Sequence, residues 1–162
     1  MNIKKSAAIL LISLSFFSVI PTVPAYATDT LQTTKHYSSK SRGLTLSREE
    51  FMLLAKLIHA EAKGESLAGQ VAVGAVVLNR LKDPRFPKTI INVIYEKDQF
   101  SPVLNGSINQ TPGEKALLAA ELALNGMDPT NGCVFFYNPS TAESRWLDSM
   151  PVLIKIGRHV FC

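Results

Sequence analysis

Ile58-His59-Ala60-Glu61-Ala62-Lys63-Gly64-Glu65 sets two carboxylates into an otherwise apolar helical pattern, just where a glycine can end the helix. Upstream, Phe51, Leu54, Ala55 and Ile58 recur at the spacing of one helical face. Glu61 therefore stands one turn beyond Ile58, at the edge of an apolar stripe. Partial burial there disfavours the charged form and raises a carboxyl pKa. An acid that keeps its proton near neutral pH can deliver it to a leaving group. The plainer reading of Glu61 and Glu65 is a pair of solvated charges on a helix end. Alanines and an isoleucine surround Glu61 rather than a charged run, which favours the first reading. The glutamates stand i,i+4, a spacing that brings Cβ atoms within ~5–6 Å on a continuous helix, and Gly64 leaves that continuity open.

The first 27 residues read as an export signal. Lys4 and Lys5 precede an apolar run from Ala7 to Ile20, followed by Pro21, Pro24 and the small-x-small triplet Ala25-Tyr26-Ala27. Cleavage is expected after Ala27. An uncleaved anchor is the competing reading, although the run is near the lower limit of the ~17–25 residues that span a bilayer. No second run of membrane length follows, so no stable membrane insertion is expected after cleavage. Loss of the signal leaves 15 basic residues against 13 acidic ones, a formal charge of +2. That slight excess is no argument for a nucleic-acid partner.

Residues 28–43 are rich in Thr, Ser, Gln and Lys and poor in apolar side chains, a composition that cannot offset the entropy of ordering, so they read as a flexible tether. Residues 44–162 amount to one domain. Cys133 and Cys162 fall in it; the compartment permits a disulfide, sequence cannot supply the required geometry, and two buried free thiols are the equal alternative.

Ser47-Arg48-Glu49-Glu50 fits a capping box, so the first helix should run from about Arg48 to Lys63 and close at Gly64. Leu67 to Leu81 lacks a wide polar face and reads as a central buried helix. Thr89 caps a short helix through Tyr95. Thr111-Pro112-Gly113-Glu114 repeats the capping-box pattern with proline at the first helical position, predicting a helix from about Pro112 to Asn125 that stops at Gly126. Beyond it, Asp128-Pro129-Thr130-Asn131-Gly132 is turn chemistry, and Cys133-Val134-Phe135-Phe136-Tyr137 has strand composition. Val152–Ile156 and Arg158–Phe161 predict two short strands around Gly157. Helices first and strands last give an α+β domain with a small antiparallel sheet near the C-terminus.

Several strings in register then carry a resemblance. His59-Ala60-Glu61-Ala62-Lys63-Gly64-Glu65, Gly69-Gln70-Val71-Ala72-Val73, Val77-Leu78-Asn79-Arg80, Gln99-Phe100-Ser101, Phe136-Tyr137-Asn138-Pro139 and Ile156-Gly157-Arg158-His159-Val160-Phe161 resemble the cell-wall hydrolase family of Bacillus spore cortex-lytic enzymes. The resemblance implies a lysozyme-like, mainly helical, lytic transglycosylase type of domain acting on peptidoglycan glycan strands. It carries the family's catalytic glutamate onto Glu61. In such enzymes the acid protonates the bond between N-acetylmuramic acid and N-acetylglucosamine. It then accepts a proton from the muramic acid 6-hydroxyl, giving a 1,6-anhydro ring without consuming water. One carboxyl suffices for this, whereas a retaining glycosidase needs a second one ~5–5.5 Å away and an inverting one ~6.5–9.5 Å away. Glu65 is accordingly either a second carboxylate, in a hydrolytic muramidase, or an orienting group.

Sugar rings call for aromatic platforms joined to amides and hydroxyls. Gln99, Phe100, Ser101, Tyr137, Asn138 and Trp146 supply that mixture and are the substrate-binding candidates, with Tyr137 and Gln99 able to orient sugar or Glu61; the plainer reading makes Phe100 and Tyr137 core and Asn138-Pro139 a turn. Phe135 and Phe136 should split between opposite faces by strand alternation. His59-Ala60-Glu61 superficially matches the H-x-E of zinc deaminases, but P-C-x-x-C and H-E-x-x-H do not accompany it; His36 lies in the tether and His159 far downstream. No metal or cofactor is expected. Arg80 near Glu61 would lower its pKa, so a structural role is assigned to it. Two departures from the family stand out: a tether replaces the separate peptidoglycan-binding module common there, and Lys63 stands where arginine is common, without its bidentate geometry.

The expectation is a secreted, monomeric enzyme associated with the cell wall or spore cortex. Cortex against vegetative wall and a companion regulatory protein are left open. The competing class is a protein that binds peptidoglycan without cleaving it.

Overall fold

Ser47 starts the bundle as its pattern predicts. The Glu50 backbone N–H donates to Ser47 Oγ (3.2 Å) and the Ser47 N–H to Glu50 Oε2 (3.0 Å), closing the capping box at the head of helix α1, Arg48–Ala62. The structure is a computed structural model that describes residues 37–39, 43–141 and 151–162. The export signal expected over residues 1–27 and the candidate Trp146 lie outside the described residues. Within the stretch read as a tether, Tyr37–Ser39 forms a strand, β1, antiparallel to β2 at Leu44–Leu46. Thr45 and Leu46 supply the β-compatible partner that composition alone did not reveal.

α1 buries Phe51, Leu54, Ala55, Leu57, Ile58 and Ala62. Its end differs from expectation. Gly64 does not take the left-handed conformation of a glycine C-cap; Lys63 is the cap in right-handed geometry, and the Glu65 N–H donates to Ala62 O (2.9 Å). Gly64 lies beneath the Arg158 guanidinium, whose Nη2 would stand 2.6 Å from a Cβ at that position.

Ser66 caps α2, Leu67–Arg80, whose residues from Gly69 onward are all buried. Each fully buried valine or leucine on it contributes about 1.5–3 kcal/mol. Gly74 lets its neighbours close in, because a Cβ at that position would meet Ile58 Cδ1 at 2.9 Å and Ala123 Cβ at 3.2 Å. Thr89 caps α3, Ile90–Ile94. A four-residue helix α4, Ser101–Leu104, and a 3-10 turn at Ser107–Asn109 follow. α5, Glu114–Leu124, packs Ala116, Ala119, Ala120 and Ala123 into the core. Its N-cap is Gly113 rather than Thr111, and the Gly113 N–H donates to His59 Nδ1 of α1 (3.3 Å). Gly126, at φ +99°, ends it as expected.

The predicted turn after α5 is a knot on Asp128, which accepts from Thr130 N (2.9 Å), Gly132 N (3.1 Å) and Asn79 Nδ2 (2.8 Å). Strand β3 is only Phe136–Tyr137, shorter than its β-rich composition predicts. Val134 N (3.1 Å) and Phe135 N (2.9 Å) both donate to Cys162 O, a bulge that interrupts the ladder. β4 (Ile154–Ile156) and β5 (His159–Phe161) join around Gly157 at φ +59°, and the antiparallel sheet has the order β3-β5-β4. Phe135 and Phe136 split as alternation demands. Phe135 meets Phe86, while Phe136 meets Phe161, Phe100 and His159. Cys133 and Cys162 are free thiols, and Cys133 Sγ donates to Thr130 O (3.1 Å).

Candidate functional site

α1 ends in a half-buried acid. Glu61 lies on the last turn, one residue before Ala62 and three after the fully buried Ile58. Burial pushes its carboxyl up to about 7 from an ordinary 4.5. Near neutral pH such a group is still partly protonated, as a proton donor must be, and giving that proton leaves a carboxylate able to accept one.

Glu65, four residues on, has the opposite environment. Its carboxylate is buried but ion-paired: Arg158 Nε donates to Oε1 (2.8 Å) and the Arg158 backbone N–H to Oε2 (3.3 Å). Hydrogen bonding from the Arg158 side chain holds its pKa below the usual carboxylate range, against burial. Oε2 occupies the space a side chain at residue 157 would take, since a Cβ on Gly157 would lie 1.9 Å from it. Glu65 thus clamps the β4–β5 turn to the end of the helix bearing Glu61. Its partner is 93 positions away in sequence, so no local pattern reveals the pair. The two glutamates are driven apart in proton affinity, by burial in one case and by an arginine in the other.

On β5, His159 is buried, its ring edge-on to Phe136 (centroids 5.4 Å apart, planes at 85°), and burial lowers its pKa. His59 serves as the acceptor for Gly113 on the other side of the bundle. Among the described residues no group of three or more His, Cys, Asp and Glu side chains is placed to hold a metal ion.

The sugar-binding candidates separate. Phe100, 3% exposed, is core rather than cleft: its ring lies 6.3 Å from Phe136 and 5.1 Å from the Arg80 guanidinium, because the apolar contacts available below it outweigh exposure to a ligand. Gln99 is exposed and its Oε1 accepts from Arg80 Nη1 (3.1 Å). Ser101 is exposed at the start of α4. Tyr137 is half-buried on β3, opposite Val160. Asn138 turns the chain after it, its Oδ1 accepting from Ser140 N (3.0 Å) and its carbonyl from Thr141 N (3.1 Å).

Arg80 has the structural surroundings assigned to it. It is 4% exposed, donates from Nε to Val134 O (2.8 Å), and lies 4.8 Å from the Phe86 ring and 5.6 Å from that of Phe135. Burial lowers its pKa to about 10, with Glu96 acting the other way. A cavity of about 350 Å³ lies elsewhere, against Arg48, Glu49, Met52, Leu53 and Lys56 on the first half of α1.

Residues 64–162 match a family model described as Cell Wall Hydrolase. The chain is 46% identical over 116 residues to a spore cortex-lytic enzyme of Halalkalibacterium halodurans and 42% identical over 116 residues to one of Bacillus subtilis. Each match covers 72% of this chain, but only 35% and 38% of the respective relatives. The catalytic domain of the germination-specific lytic transglycosylase SleB from Bacillus anthracis superposes with a TM-score of 0.69 at 42% identity. That match covers 72% of this chain and 96% of the solved one. The catalytic domain of the Bacillus cereus SleB protein gives 0.68 at 43% identity, over 72% and 91%. Among the described residues, the five α-helices and late three-stranded sheet therefore have the lysozyme-like fold of the SleB domains. The chain belongs to the cell wall hydrolase family.

Proposed function

We propose that this protein cleaves the glycan strands of peptidoglycan as a lytic transglycosylase, with Glu61 as the acid and then the base. Its carboxyl gives a proton to the oxygen that joins N-acetylmuramic acid to N-acetylglucosamine, and the C1–O bond breaks. The resulting carboxylate accepts the proton of the muramic acid 6-hydroxyl as that oxygen bonds to C1. The acid is regenerated and the product ends in a 1,6-anhydro ring. The observation that carries the reading is a half-buried carboxyl with a pKa of about 7 on the last turn of α1. The fold around it is shared with a domain described as a lytic transglycosylase.

Glu65 argues against the hydrolytic alternative. A carboxylate already engaged by two N–H groups of Arg158 is a poor nucleophile or base, so its place is to orient the β4–β5 turn. The same reading includes export with cleavage after Ala27 and action at the wall or spore cortex, the latter supported by the names of the relatives. Incubation of the mature protein with cortex and with vegetative peptidoglycan, followed by mass spectrometry of the soluble muropeptides, tests it. Anhydro-muramic ends are expected. Reducing ends carrying an added water would mean hydrolysis, and pelleting on the wall with no soluble product would mean a binding protein.

A further inference from the structure

An exposed glutamine normally presents its amide either way round. Gln99 is denied that choice. The group facing it is the Arg80 guanidinium, which carries N–H donors and no acceptor, so the amide atom 3.1 Å from Nη1 is the oxygen and Nε2 is turned outward. Arg80 cannot swing aside to release it. Its Nε is committed to Val134 O at 2.8 Å, and its plane is enclosed by the rings of Phe86, Phe100 and Phe135. Backbone geometry adds to the constraint, because Asp98 takes the left-handed conformation (φ 59°) and the Gln99 N–H donates to Glu96 O (3.3 Å).

The result is a rigid pair of donors on an exposed side chain, able to recognise only an acceptor. Its place in the fold is suited to a glycan. Phe100, the next residue, stacks on Phe136, the neighbour of Tyr137 on β3, and α4, which follows at once, packs against α1, the helix of Glu61. Both sugars of the strand carry an acetamido group, whose carbonyl oxygen is a strong neutral acceptor. We propose that Gln99 donates its amide NH2 to an acetamido carbonyl of the glycan, and that Arg80 is the positioning residue that holds the amide in that orientation. The choice of ligand rests on the glycan-cleaving reading above.

Binding and cleavage are separated by working in the Glu61→Gln background and measuring affinity by calorimetry. The probes are peptide-free glycan strands, either fully N-acetylated or chemically de-N-acetylated. Gln99→Ala should weaken binding of N-acetylated strands about five- to tenfold, the loss of one or two neutral hydrogen bonds, and leave the de-N-acetylated strands unchanged. Arg80→Lys keeps the charge but not the fork. It should reproduce part of that loss, and adding Gln99→Ala to it should give no more than the single Gln99→Ala loss, because the two act as a unit. Equal weakening on both strands, no weakening on either, or strictly additive losses would overturn the proposal. So would a parent protein that binds neither strand. If Arg80→Lys melts early, the comparison of the two strands with Gln99→Ala alone still decides the contact. Wild-type protein that shows the acetamido dependence in binding yet releases no product would count against the cleavage reading and not against this one.

Discussion

Replacing Glu61 by glutamine should stabilise the protein, and only at the alkaline end of its range. The carboxyl titrates near 7 in the fold and near 4.5 when unfolded, a difference of about 2.5 pH units at ~1.4 kcal/mol each. The folded protein holds this proton more tightly than the unfolded chain does. Between pH 4.5 and 7 the unfolded state therefore binds fewer protons, and stability falls as pH rises through that window. Below 4.5 both states are protonated and nothing is lost; above 7 both are ionised and the full cost is present. That cost is about 3.5 kcal/mol as an upper bound, since the side chain is half-buried and water screens part of it. A neutral amide avoids it at every pH. Melting of Glu61→Gln and wild type, followed by circular dichroism from pH 4 to 8.5, should show coincident midpoints at pH 4. At pH 8 the variant should lead by on the order of 10 °C. Other titrating groups cancel in the difference. A gap that is constant across the pH range, or that opens on the acidic side, would refute burial as the cause of the shifted pKa. The same variant should release no muropeptides, because an amide N–H is far too weak an acid to protonate the leaving oxygen.

Three further outcomes are expected. Gly157→Ala combines a left-handed backbone with a Cβ 1.9 Å from Glu65 Oε2, so in urea unfolding it should cost well over the ~1 kcal/mol expected of Gly106→Ala, which has positive φ but open space. Equal costs would show that the carboxylate does not fill that space. The pKa of Glu65 is lowered, so its contribution to stability is present above the unfolded carboxylate pKa and lost as pH falls through the lower folded value. Glu65→Gln should accordingly destabilise at pH 7 and converge with wild type in acid, read by the same melts. Ser47→Ala removes half of the capping box and should cost about 1 kcal/mol in urea midpoint with cleavage unchanged; a loss of activity at retained stability would contradict a purely structural role.

What was legible in the sequence is what acts over a few residues. The caps at Ser47 and Thr89, the burial of α2 and the stop at Gly126 each depend on neighbours within one or two turns, so a periodic pattern and a capping residue reveal them. Glu61 was legible for the same reason, because its apolar surroundings lie on its own helix. The errors arise where a distant partner decides. Gly113 displaces Thr111 as the cap of α5, with His59 beside it, and Gly64 lies under a guanidinium brought from residue 158 instead of capping α1. Sequence leaves Phe100 open between core and sugar platform, and it is the rings and guanidinium of Phe136 and Arg80 that bury it. Glu65 carries no local sign of its arginine. The short α4 was missed because four residues are too few to show a period.

In the three-stranded sheet the strand that comes last along the chain is the one in the middle. Until the segment from Arg158 to Phe161 has been made, the ladder opposite Tyr137 and the arginine on Glu65 are both still to come. Helix α5, the last of the long helices packed on α1, is already complete at Leu124. Assembly of the sheet thus waits on a single short segment, and a cut after Ile156 would part the central strand from its hairpin partner without touching Glu61.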